Sequence, residues 1–222
     1  MISIKKAGLL SLFMSFSVFL LAQDLSFNLT VTSAKQTEPM LINVYVSGSK
    51  IAMQPQNMGV PGTLTILVDN SKGTQHMLMN SNGQKIAMPI SMDNVEKAKA
   101  AAKEPKVTVT KETKIVDGHK CYKVITETED QKTDLWMTED VGMQYAEFYK
   151  LMSAAKGPQG ASMIEIPELK NLKGFPIEIV TTDKKKSETV TIKIKNISKA
   201  KVDQKLFSME GYQMMDSGGK TH

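Results

Sequence analysis

Apolar and polar residues alternate with a period of two in several separate stretches of this chain, and this pattern limits its fold more than any other feature. The alternation is clearest over residues 190–194, and it recurs over 27–31, 42–46 and 64–68. Successive side chains of a β-strand point to opposite faces of a sheet, so each stretch predicts a strand with one apolar and one polar face. We therefore expect a protein built mainly from β-strands.

Short turn segments occur at residues 47–50, 69–73, 81–84, 116–119 and 183–186. Two of them contain the pairs Asn-Gly and Asp-Gly, which readily adopt the positive φ angles that a two-residue hairpin turn requires. The chain is therefore predicted to run as a meander of antiparallel hairpins. A sheet of such strands has to curve or to pack on a helix in order to bury its apolar side.

Two segments have helical character. Residues 91–104 begin with capping residues, continue through alanines and lysines, and stop before Pro105. Residues 138–157 place apolar side chains at the spacing of one helix face. The segment 157–176 contains several glycines and prolines and predicts a loop or lid. The expected fold class is mainly β with two helices, in which a long curved antiparallel sheet carries the helical pair against its concave side.

The N-terminus has the pattern of a secretory signal peptide. Lys5 and Lys6 precede an apolar run over 7–21, and the small residue Ala22 follows it. We expect residues 1–22 to be a signal peptide and residues 23–222 to form a single domain, located in the periplasm or secreted. A permanent membrane anchor is disfavoured because the apolar run is shorter than the roughly 20 residues that a spanning helix needs.

The charged residues argue against nucleic acid as a partner. The formal net charge is +5 and all 28 basic residues are lysines. Arginine supplies the planar donor fork that reads phosphates and guanine edges with two hydrogen bonds, and this sequence contains none. We therefore expect no nucleic-acid binding.

No catalytic motif is present in the sequence. Cys121 is the single cysteine, so it forms no disulfide within the chain. It is either a nucleophile paired with His119 or His76, or a small buried hydrophobic residue, and a lone cysteine between strand residues is more often the second. We find no glycine-rich phosphate loop, nucleophile elbow or HExxH motif, so we expect no enzymatic activity and name no catalytic residue.

Methionine is unusually frequent, with 16 residues in the chain. Met77 and Met79 would share one face of a hairpin with Met88 across from them, and flexible thioethers of this kind suit the lining of an acyl-chain site. The alternative is that methionine fills an uneven core. A third hypothesis adds His76 and Met92 as soft ligands for copper(I). The sequence favours neither a metal nor a cofactor, since no two histidines or cysteines have zinc-ligand spacing.

The stretch KLFSMEGYQMM at residues 205–215 is apolar for a chain end. We expect it to be structural, with Leu206, Phe207 and Tyr212 closing one end of the apolar interior. Gly211 would allow a sharp turn before Tyr212.

Four segments resemble a known family. They are TKETKIVDGHKCYKV at 110–124, WMTEDVGM at 136–143, GFPIEI at 174–179 and VDQKLFSMEGYQMM at 202–215. Together they are similar to an uncharacterised secreted domain common in Bacteroidota, which is related to the periplasmic lipoprotein-carrier superfamily. The resemblance implies an incomplete antiparallel barrel, or half-barrel, with a helical lid over an apolar cavity. Carriers of lipoproteins tend to use a gating arginine, which this sequence lacks.

The resemblance and the residues together predict a non-enzymatic binding protein. We expect it to carry a lipid, an acyl chain or a lipidated protein, to act as a monomer and to associate at most peripherally with the cell envelope. A structural or interaction module without a ligand, and a methionine-rich copper-binding protein, remain the alternatives. The residues expected to line the ligand cavity are Met77, Met79, Met88, Phe148, Met152, Phe207 and Tyr212.

Overall fold

The computed structural model describes residues 24–34, 37–57, 61–90, 104–154, 166–169 and 171–215. Within them the chain forms twelve strands, one α-helix and one 3₁₀ helix. The strands are β1 (Leu25–Ser33), β2 (Met40–Ser47), β3 (Lys50–Pro55), β4 (Thr63–Asp69), β5 (Thr74–Ser81), β6 (Gln84–Pro89), β7 (Lys106–Val116), β8 (His119–Glu127), β9 (Gln131–Thr138), β10 (Phe175–Asp183), β11 (Glu188–Ser198) and β12 (Gln213–Met214). The helices are α1 (Tyr145–Ala154) and the 3₁₀ helix Gln204–Phe207.

All twelve strands belong to one sheet, in the order β12-β6-β5-β4-β3-β2-β1-β11-β10-β9-β8-β7. Every neighbouring pair is antiparallel except β12 and β6, which are parallel. The sheet does not close, because β12 and β7 lie at its two ends. The predicted architecture of a mainly β protein with a large, open antiparallel sheet is therefore confirmed.

The hairpin turns follow the sequence signals. Asn82 and Gly83 both have positive φ, at 51° and 82°, and so do Asp117 and Gly118, at 48° and 83°. Two successive positive φ angles are the mark of a type I′ turn, whose twist matches that of the strands it joins. These two turns connect β5 to β6 and β7 to β8 and set the register of both hairpins.

The helical predictions are confirmed only in part. The second predicted helix starts later than expected, since Thr138 is the last residue of β9 and α1 begins at Tyr145. A hydrogen bond between backbone and side chain marks the start of α1: the backbone N–H of Gln144 donates to Oε2 of Glu147 at 2.9 Å. The first predicted helix, over 91–104, lies almost entirely outside the described residues, and so does the predicted signal peptide.

The larger core lies on the face of the sheet that packs against α1, which we call the inner face. Alternate residues of β1, including Phe27 and Leu29, are buried there while their neighbours are partly exposed. The ring of Phe148 on α1 lies with its centroid 5.2 Å from that of Phe175 and 6.4 Å from that of Phe27. These aromatic contacts fix the helix over the centre of the sheet, where β1 and β10 flank β11.

A smaller core lies on the opposite face, which we call the outer face. The C-terminal segment 202–212 packs there against β3 to β6, and its apolar side chains contact side chains of those strands. The buried residues of this cluster are Ala52, Leu67, Leu78, Ala87, Val202 and Phe207. The expectation that residues 205–215 are structural fits this packing, although they cover the outer face and not the end of the inner core.

Asp24 ties the start of β1 to this C-terminal segment. Its Oδ2 accepts a hydrogen bond from the backbone N–H of Val202 at 2.8 Å. The side chain of Ser47 and this backbone donor lower the pKa of Asp24 below its ordinary value of 3.8. A carboxylate with a lowered pKa stabilises the fold above the unfolded-state pKa, and this contribution is lost as pH falls through the folded-state pKa.

We therefore predict that Asp24→Asn lowers the melting temperature at neutral pH and that the difference from wild type shrinks as pH falls below about 4. Melting curves of both proteins by circular dichroism, recorded between about pH 7 and pH 2, test this. A difference that stays constant over the whole range would show that the charge of Asp24 does not contribute.

No helix among the described residues is both long and apolar enough to cross a membrane.

Candidate ligand-binding surfaces

Two rows of apolar side chains cross β4, β5 and β6 on the inner face. Ile66 belongs to the larger core and lies opposite Met77, which in turn lies opposite Met88. Side chains of directly opposed residues lie on the same face, so all three belong to the inner face. The second row is parallel to the first and consists of Leu64, Met79 and Ile86. We call these six residues the methionine rows.

The methionine rows lie on β4 to β6, several strands away from β1 and β10, whose phenylalanines contact α1. Four strand spacings of about 4.8 Å, or about 19 Å along the sheet, separate β1 from β5. Met77, Met79 and Met88 are accordingly only partly buried, whereas Ile66, nearer the helix, has no exposed surface. The apolar face thus continues past the packed core.

The structure divides the seven predicted cavity residues among three places. Met77, Met79 and Met88 share the methionine rows. Phe148 and Met152 lie in the packed core beneath α1, with 0% and 1% of their surface exposed, and point at the sheet. Phe207 and Tyr212 lie on the outer face. Only the three methionines therefore come together on a surface of the described residues that is not already filled by core packing.

The proposed copper ligands also separate. His76 lies opposite Leu67, a member of the outer-face cluster, so its imidazole and the thioethers of Met77 and Met79 lie on opposite faces. Burial lowers the pKa of His76. Met92 lies outside the described residues. Among the described residues, no group of three or more histidine, cysteine, aspartate or glutamate side chains is placed to hold a metal ion.

Cys121 is buried, with 1% of its surface exposed, and its Sγ donates to the backbone carbonyl of His119 at 3.5 Å. Burial raises the pKa of the thiol. A thiol with a raised pKa stays protonated at neutral pH and is a poor nucleophile. His119 is directed elsewhere, with Nδ1 at 3.5 Å from Oδ2 of Asp140. These contacts favour the small-hydrophobe hypothesis for Cys121.

A cleft on the outer face was not predicted from the sequence. It lies between β3–β6 and the C-terminal segment and encloses about 560 Å³. Its floor is made by side chains of four strands and its wall by the segment 205–212. The lining residues are Gln54, Thr63, Thr65, Leu78, Asn80, Lys85, Lys205, Leu206, Ser208, Glu210, Gly211 and Tyr212.

Hydrogen bonds and register order the polar floor of this cleft. Thr63, Asn80 and Lys85 lie directly across from one another on β4, β5 and β6. One row further in, Nε2 of Gln54 donates to Oγ1 of Thr65 at 3.3 Å. The ammonium of Lys85 reaches the opposite wall, 5.6 Å from the ring centroid of Tyr212. In the sequence these residues form the polar half of each alternation, which resembles any solvated strand face.

Several solved structures are similar to this chain at low sequence identity. Two structures of PNGF-II, 13% and 12% identical with TM-scores of 0.45 and 0.44, match 88% of this chain, which spans only 31% and 32% of their length. A structure described as an outer membrane lipoprotein-sorting protein domain from Vibrio parahaemolyticus is 10% identical with a TM-score of 0.37, over 84% of this chain and 89% of that one. A DUF1329 family protein from Desulfovibrio piger is 11% identical with a TM-score of 0.36, over 86% and 92%.

No curated protein sequence matches this chain. Its sequence does match a family model, the domain of unknown function DUF4412, over residues 26–211. The match begins in β1 and ends in the turn after the 3₁₀ helix, so it includes both the methionine rows and the outer-face cleft. The chain is thus a member of the DUF4412 family.

Proposed function

We propose that this chain is a non-enzymatic binding protein that holds an apolar, acyl-type ligand against the methionine rows. The observation that supports this most is the continuation of the inner apolar face across β4 to β6, beyond the part that α1 covers. The three methionines of the rows are half-buried, and a contiguous apolar surface that the core does not fill often marks a binding site. Methionine side chains are unbranched and flexible, so they adapt to a chain of variable shape.

The free energy available to such a ligand is substantial. Each buried methylene contributes about 0.8 kcal/mol, so a twelve-carbon chain offers up to about 9 kcal/mol before the entropy cost of binding is subtracted. A dissociation constant in the micromolar range would therefore need most of the chain to be buried. The rows contain no charged side chain that would oppose this burial.

We further propose that the ligand is a lipid or the acyl group of a lipidated protein, met in the periplasm or outside the cell. The signal-peptide pattern of residues 1–22 and the sequence resemblance to the lipoprotein-carrier superfamily support this assignment. Both point to a compartment where acylated molecules have to be shielded from water during transfer.

Native mass spectrometry of the full chain, purified without detergent and then incubated with dodecanoate, tests the proposal. We expect a one-to-one adduct, together with displacement of cis-parinaric acid in a fluorescence titration. A bare mass and no displacement at micromolar dodecanoate would reject the acyl-binding function and favour an interaction module without a ligand. A mass increment that matches copper after incubation with copper(I) would instead revive the thioether site.

A further inference from the structure

We propose that the outer-face cleft is a second binding site, specific for a short neutral saccharide. It lies on the other face of the sheet from the methionine rows and is independent of the function proposed for them. Its volume of about 560 Å³ falls within the range of about 300–1,000 Å³ that is usual for small-molecule sites.

The chemistry of the lining disfavours a purely apolar ligand such as an acyl chain. The lining is mixed: Leu78 and Leu206 contribute apolar surface, whereas most of the other lining residues carry an amide, a hydroxyl or a charge. A methylene chain would take these groups out of water without replacing their hydrogen bonds, and each buried, unsatisfied group costs about 1–3 kcal/mol. The ligand that fits this cleft has to make hydrogen bonds along most of its length.

The floor can both donate and accept hydrogen bonds. Side-chain amides and hydroxyls, such as those of Gln54, Thr63 and Asn80, each provide both functions. The amide of Asn80, half-buried in this floor, supplies one acceptor oxygen and two N–H donors. A sugar hydroxyl also donates and accepts, and a row of them would match this floor, with the apolar ring faces against Leu78 and Leu206.

Charge selects only weakly for an anionic ligand. Two lysines, Lys85 and Lys205, and one carboxylate, Glu210, line the cleft. Their sum is a single positive charge spread over an open site, and screening by salt weakens it further. Lys85 lies near the ring of Tyr212, 5.6 Å from its centroid, and no arginine is present to bind a carboxylate or phosphate with two parallel bonds.

The test is isothermal titration of the full chain with three neutral trisaccharides, maltotriose, cellotriose and triacetylchitotriose, and with trigalacturonate as the acidic comparison. We expect at least one neutral trisaccharide to bind. Asn80→Ala should then weaken its binding about tenfold, as expected for the loss of hydrogen bonds to a neutral group. Asn70→Ala is the matched control, since Asn70 lies at the opposite end of the same hairpin, and it should leave binding unchanged.

Two further variants make the result specific. Thr63→Ala removes another lining hydroxyl from an exposed position and should also weaken binding, which keeps the test valid if Asn80→Ala does not fold. Lys72→Met removes a lysine from the turn between β4 and β5, outside the cleft, and should retain binding of the neutral sugar. The proposal is overturned if no neutral trisaccharide binds at millimolar concentration, if only trigalacturonate binds, or if Asn80→Ala and Asn70→Ala behave alike. Met79→Glu changes the inner face and should leave trisaccharide binding unchanged. A failure of the saccharide proposal can therefore be distinguished from a failure of the acyl-binding proposal.

Discussion

Replacing Met79 with glutamate should abolish acyl binding while leaving the protein folded. Met79 lies in the middle of its row, between Leu64 on β4 and Ile86 on β6. A carboxylate there would have to be desolvated or protonated whenever an acyl chain covers it, and burying an unpaired charge is strongly unfavourable. We expect the affinity for dodecanoate to fall by at least about 100-fold. Displacement of cis-parinaric acid measures the loss.

The control has to carry the same charge on the same strand. Thr74→Glu does so, because Thr74 is exposed and lies at an even-numbered position of β5, on the outer face. It should bind dodecanoate like wild type, and so should the apolar variant Met79→Leu. Unchanged binding by Met79→Glu would contradict the proposed site. A large drop in its melting temperature with unchanged binding would show that the methionine rows are part of the core.

Phe148→Ala should cost about 3–5 kcal/mol of unfolding free energy. The Phe148 side chain has no exposed surface, and its ring contacts those of Phe27, Tyr145 and Phe175. Removing it deletes the central member of this aromatic cluster and leaves a cavity under α1. Since domains of this size are stable by only about 5–15 kcal/mol, the loss is a large part of the total. Urea denaturation followed by circular dichroism measures it.

Lys150→Ala serves as the comparison for this change, since it lies two residues away on the same helix and is exposed. It should alter the unfolding free energy by less than about 0.5 kcal/mol. A small effect of Phe148→Ala, within the same limits as Lys150→Ala, would mean that α1 does not depend on the aromatic cluster for its position on the sheet.

The sequence predicted the sheet well because its strands are half-buried. The alternation at residues 27–31, 42–46, 64–68 and 190–194 coincides with β1, β2, β4 and β11. Alternate side chains of these strands face the core and the solvent, so apolar and polar residue types alternate along the sequence. The start of α1 was harder to locate, because the apolar spacing of residues 138–144 is equally compatible with the end of β9 and the turn that follows.

The candidate sites were less predictable, since they depend on which strands are neighbours. Met77, Met79 and Met88 could be placed on one face from the hairpin alone. Phe148 and Met152 were assigned to the same cavity, but only the tertiary structure shows that they fill the core under α1. Phe207 and Tyr212 were expected near the inner core because apolarity carries no information about which of two faces a residue covers. The prediction that the three methionines bind a ligand remains a prediction.

The position of β1 has a consequence for the order of folding. It is the first strand of the described chain, yet it lies in the interior of the sheet between β2 and β11. The side chains of Asn28 and Asn196, 168 residues apart, meet across this boundary. Until β11 has been synthesised, one edge of β1 has no partner, and pairing over so long a separation makes folding slow. Refolding yield should therefore depend on dilution, because an unpaired edge strand in a half-formed sheet is a template for aggregation.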